Sequence, residues 1–201
     1  GIRLQLGHTL RRFHDFENAA TTFETYAASY GGDIWSWEAQ YWLADCLREL
    51  ARQRQLEGAE AAADSLRQLA HQELRILAAA DAGAWSHRAR LLLIDADANA
   101  ASEGGEKLRE SGLTALIAEL TGEAESPLGR DVTAEAMLQL ADVRRKSAAA
   151  HTLRWPQAVA AYADFLSRFP EHPLRRKAGF GLGVSLIRQG DINSGLDSLE
   201  S

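Results

Sequence analysis

Apolar residues recur at helical spacing from the start of the chain. Over 2–14, Leu4, Leu6, Leu10 and Phe13 fall within successive turns with Gly7 among them, which predicts an amphipathic helix with a small residue at its crossing point. The stretch 15–30 supplies a turn and a second helix, and Tyr30-Gly31-Gly32 ends it, since glycine takes the left-handed conformation at low cost. Asp33 is placed to cap a third helix over 34–50. Beyond Leu50 the pattern predicts a polar connection and then a long helix, with Leu56, Ala63, Leu66, Leu69, Ala70, Leu74 and Leu77 as its apolar stripe.

Further along, 85–101 and 107–120 read as a helix pair broken at Gly104-Gly105. The segment 121–131 carries glycines, a proline and little apolar content, so it is expected to be an exposed loop or a joint between two parts of the array. Asp131 is the expected cap of a helix over 133–150. Trp155-Pro156 then opens another helix, because proline suits a first turn. Pro170 and Pro173 bracket the loop that follows it.

The chain also repeats itself. Leu140-Ala141-Asp142 echoes Leu43-Ala44-Asp45, with a basic residue shortly after each. Leu6, Gly7, Leu10, Ala19 and Phe23 set out a pattern that returns as Leu182, Gly183, Leu186, Gly195 and Leu199. These positions, together with Ala158, Tyr162 and Pro170, resemble the tetratricopeptide repeat, a family of antiparallel helix pairs with small residues where the helices cross. The resemblance implies an all-α, right-handed α-solenoid of about five such pairs, the middle ones degenerate, forming a single array over 1–201. Both ends look like the middle of a repeat, so a segment of a longer protein is expected. Residues 162–191 are most similar to repeats of bacterial cell-envelope proteins. This implies a periplasmic or envelope location, with the cytoplasm as the alternative.

With 201 residues, 46% hydrophobic and 25% charged, the chain has the profile of a folded protein. Its net charge of −6 disfavours a nucleic-acid partner, which usually selects a basic surface. No apolar run approaches the ~18 to 20 residues of a membrane helix. The one cysteine, Cys46, cannot form an internal disulfide, and its apolar neighbours predict a small buried residue.

No catalytic set or cofactor motif emerges. The histidines are dispersed without metal-ligand spacing, and the glycines of 179–183 suit close helix packing better than a phosphate loop. One chemical pattern stands out. Asp95, Asp97, Asn99 and Glu106 occupy positions 1, 3, 5 and 12 of an EF-hand calcium loop. Against it, position 6 is Ala100 where glycine is needed, position 8 is Ser102, and the alanine run favours helix. A calcium- or ligand-binding helical regulatory domain is thus the alternative to a scaffold. Among the aromatics, Trp42 is expected in the core, while Trp35 and Trp37 could anchor a partner.

The family resemblance implies a non-enzymatic scaffold whose first helices line a groove for a partner peptide or helix. Carried over by position, that groove is His8, Arg11 and Arg12; Tyr41, Asp45, Arg48 and Glu49; Asp142, Arg145 and Lys146; and Phe180, Val184 and Arg188. The recurring cations suggest an acidic partner segment, although cations also favour helix C-termini through the backbone dipole. These positions lack the lysine and asparagine set with which the family clamps chaperone tails. Apolar surface at the first and last helices predicts self-association.

Overall fold

The computed structural model describes residues 1–101, 103–120 and 126–200. Among them there is no strand. The α-helices are α1 Ile2–Arg12, α2 Phe16–Ser29, α3 Ile34–Leu56, α4 Glu60–Ala79, α5 Ala84–Ala100, α6 Gly105–Leu120, α7 Pro127–Ala150, α8 Trp155–Arg168, α9 Arg175–Gln189 and α10 Ile192–Glu200, with a 3₁₀ turn at Thr152–Arg154. Two compact units comprise residues 1–93 and 94–201, dividing within α5. Residues 121–125 of the expected joint, and Ser102, lie outside the described residues. No helix among those described is long and apolar enough to cross a membrane.

Within each unit, helices pack on their chain neighbours, and odd-numbered helices also touch, α1 with α3 and α7 with α9. The fold is all-α and solenoid-like, as expected. Small residues set the crossings. A Cβ on Gly7 would lie 2.6 Å from the Phe23 ring, and one on Gly183 would lie 2.7 Å from Leu199. The paired helices can approach this closely only because hydrogen replaces a side chain there.

The first helices of three pairs share one stop signal. After α1, His14 donates its N–H to Arg11 O and Asp15 to Leu10 O; after α3, Gly58 donates to Gln55 O and Ala59 to Arg54 O; after α9, Gly190 donates to Ile187 O and Asp191 to Leu186 O. His14, Gly58 and Gly190 all have positive φ, of 60°, 79° and 106°. Each is a left-handed residue closing a helix through a Schellman motif. Asp15 and Asp191 then accept from the N–H of Asn18 and Ser194, starting the second helix.

Two boundaries differ from expectation. Helix α3 runs to Leu56 and not Leu50, because its polar last turns are a solvent face held by ion pairs: Arg52 to Glu49, and Arg54 to both Glu57 and Glu17. Helix α7 begins at Pro127, six residues before Thr133. Ser126, and not Asp131, is its cap, accepting the Gly129 N–H at 2.9 Å. Thr133 lies fully buried inside that helix and donates to Gly129 O.

Candidate protein-binding site

Helix α1 meets α3 through side chains one turn apart on α1 and two turns apart on α3. His8 Nε2 lies 3.0 Å from Glu38 Oε1, and Arg11 reaches Asp45 Oδ2 with Nε at 2.8 Å and Nη2 at 2.7 Å. The Arg11 guanidinium also sits 4.1 Å from the Trp42 ring centroid, a cation–π contact that fixes its plane. His8 stands edge-on to Phe23 and Trp42. Four groove candidates are therefore brought together here, with His8, Arg11 and Asp45 tying one repeat to the next.

The fourth, Tyr41, is core. It is only 6% exposed and packs against Trp42 and Trp85, so it is not a groove surface. Glu49 pairs along its own helix with Arg52. Arg12 and Arg48 are exposed and make no hydrogen bond or ion pair with any described residue. Trp35 is 52% exposed, whereas Trp42 packs against the unit's core. Cys46 is fully buried, as expected. Burial pushes its thiol up to about 12, with the neighbouring Asp45 carboxylate adding to the effect. It is therefore held as the thiol, not as a nucleophilic thiolate.

In the other unit, Asp142 accepts the Tyr162 hydroxyl at 2.5 Å and pairs with Lys177 Nζ at 3.1 Å. Arg145 Nε donates to the same hydroxyl at 3.1 Å. Burial, followed by the Asp142 carboxylate, drives the Tyr162 phenol well above its usual range. Asp142 and Arg145, expected to face a ligand, thus serve first to join α7 to α8 and α9. Lys146 and Arg188 remain exposed, Val184 is half-buried, and Phe180 is 64% exposed. Lys177 supplies a contact the sequence reading missed. No local signal in the sequence ties it to Asp142, which lies on a different helix.

The calcium pattern does not form a loop. Asp95, Asp97 and Asn99 lie on helix α5, which continues to Ala100. Arg109, from α6, fills the space such a loop would give a cation: its Nε lies 2.9 Å from Asp95 Oδ1, its Nη1 2.9 Å from Glu106 Oε1, and its Nη2 donates to Asn99 Oδ1 at 2.7 Å. No described cluster of three or more His, Cys, Asp or Glu is arranged to hold a metal.

Residues 135–172 match the family model of the tetratricopeptide repeat, a span from α7 through α8 and its closing loop. No curated protein matches the chain. The chain is thus tetratricopeptide-repeat-like, and this repeat marks a protein–protein interaction module of a generally non-catalytic family.

Proposed function

We propose that this tetratricopeptide-repeat-like chain is a non-enzymatic scaffold that holds an acidic segment of another protein, extended or helical, against the exposed face of its first helices. The observation that carries this reading is Arg48. Because α3 continues to Leu56, Arg48 sits two turns before the helix end, where the backbone dipole gives a cation little support. It is exposed and unpaired, on the same side of α3 as the Asp45 that anchors Arg11. Arg12 offers a second unpaired cation on the adjoining helix, and Lys146 and Arg188 offer the same chemistry in the other unit. Arg145 is engaged with Tyr162 and is a positioning group. Selection of displayed random peptides on the protein should recover acidic sequences. Replacing Arg12 and Arg48 with glutamate should then weaken the selected peptide at least tenfold and flatten its salt dependence, with the circular-dichroism spectrum unchanged. Unchanged affinity would end the groove reading.

A second reading, self-association, is favoured by the terminal helices. Helix α1 exposes Ile2 and Leu6 beside Arg3 and carries no acidic residue, whereas α10 exposes Ile192 and Leu196 beside Asp197 and Glu200 and carries no basic one. Apolar surface rimmed by opposite charge suits a head-to-tail contact between copies. Sedimentation velocity should show concentration-dependent growth that Leu196→Asp abolishes. A monomer at all concentrations would exclude it.

A further inference from the structure

The opposite side of α3 carries a second surface. At roughly 100° per residue, Leu43, Leu47, Leu50 and Arg54 centre about half a turn away from Glu38, Tyr41, Asp45 and Arg48. There the helix floors a trough of about 610 Å³, walled by α2 and α4. The floor is leucine, and α4 adds Leu66 and the half-exposed Leu69, 51% accessible. Leu43 and Leu50 are buried and Leu47 and Leu66 half-buried, with Leu69 open at their edge, an apolar surface that favours a covering partner.

The rim fixes the partner's charge. Glu24 on α2 is exposed and pairs with no described residue. Among the described residues, Glu73 on α4 accepts only the neutral Gln40 amide, at 3.1 Å. Glu17, the third carboxylate, is matched by Arg54 at 2.9 Å. Three acids against one base leave both walls negative above an apolar floor. The wall residues are spaced as helix faces: Glu17, Thr21 and Glu24 on one side, Leu66, Leu69 and Glu73 on the other. A helix laid between them completes the packing that α2, α3 and α4 begin.

We propose that this α2–α3–α4 trough is a docking site for a basic amphipathic helix of a partner protein. The partner's apolar stripe packs on Leu47, Leu66 and Leu69, and its lysines or arginines meet Glu24 and Glu73. This goes beyond the groove reading and does not depend on it. The charge preference is reversed, and the residues lie on the other side of α3.

The test uses the whole chain and two designed helical peptides of about 18 residues, alike in their leucine stripe, one flanked by lysines and one by glutamates. In fluorescence anisotropy the lysine peptide should bind at least about tenfold more tightly. Leu69→Asp should remove that binding, and the Glu24→Lys, Glu73→Lys pair should invert the preference. The Arg12→Glu, Arg48→Glu pair should leave it intact, which separates this site from the groove. Asp164→Lys with Glu171→Lys makes the same change in net charge elsewhere and should not invert it. The proposal fails if neither peptide saturates, if both bind equally, if Leu69→Asp binds normally, or if the control pair inverts the preference. It also fails if Leu69→Asp dissolves a self-dimer, since the occupant would then be a second copy.

Discussion

Arg11 and Asp45 join the first and third helices through two nitrogens on one carboxylate oxygen, at 2.8 and 2.7 Å. Trp42 lies beneath the guanidinium, and the Asp45 side chain is only 18% exposed. A charge-assisted contact of this kind contributes more than a surface pair. Asp45→Ala should destabilise the protein by about 1 to 2 kcal/mol in urea denaturation. Arg11→Lys should recover little of the contact, since an ammonium neither stacks on Trp42 nor places two donors. A loss below about 0.3 kcal/mol would show that the pair is solvent-screened.

Two glycines on α9 should respond in opposite directions to alanine. A Cβ at Gly181 would sit 2.4 Å from the Tyr162 ring. That ring is fully buried and its hydroxyl is held by Asp142 and Arg145, so it has nowhere to move. Gly181→Ala should cost about 1 to 3 kcal/mol. At Gly179 the nearest atom is Ser198 O at 3.8 Å, an ordinary contact, and alanine should stabilise the helix by about 0.5 to 1 kcal/mol. Thermal melts of the two variants decide the matter. Equal shifts would mean that α9 does not pack on Tyr162 as described.

What could be read from the residues was whatever repeats or lies close in sequence. Gly7 with Phe23 and Gly183 with Leu199 each set a glycine against an apolar partner at the same spacing along the chain, so helix pairing was legible. Polar contacts between helices were not. The acidic pattern at Asp95 to Glu106 invited a calcium ion because nothing local announces that Arg109, from the next helix, would take that place. The start of α7 was hidden because Gly129 resembles a loop residue, while in the fold it is buried within the first turns. The leucine trough also escaped. Leu66 and Leu69 count equally as core in a linear stripe, whereas in the fold Leu66 is half-buried and Leu69 is 51% exposed.

The buried thiol gives stability a pH dependence of known sign. A free thiol titrates near 9.0, and burial pushes Cys46 up to about 12. The unfolded chain therefore loses its proton first. The contribution is complete below pH 9.0 and is lost as pH climbs toward the folded value. From pH 9 to 10, unfolding free energy should fall by about 1 kcal/mol more than in Cys46→Ala, the slope approaching about 1.4 kcal/mol per pH unit only above that interval. Tyr162 adds a similar loss above its ordinary 10.0, so the lower interval isolates the cysteine. Parallel curves for the two proteins would contradict the burial of the thiol.

The helix stop at His14 is the one case of the shared motif without glycine. His14 has φ of 60°, a conformation that costs an L-residue with a Cβ roughly 1 to 2 kcal/mol, and Gly58 and Gly190 fill the same place after α3 and α9. Its ring makes one edge contact with Phe16, at 5.6 Å between centroids, and the residue is otherwise exposed. Glycine would remove the strain, lose that contact and add freedom to the unfolded chain, for a net gain of up to about 1 kcal/mol. Valine, branched at Cβ, should lose about 1 to 2 kcal/mol at the same position. The order Gly above His above Val in melting temperature is the expected result. Valine matching histidine would show that α1 ends without a left-handed residue.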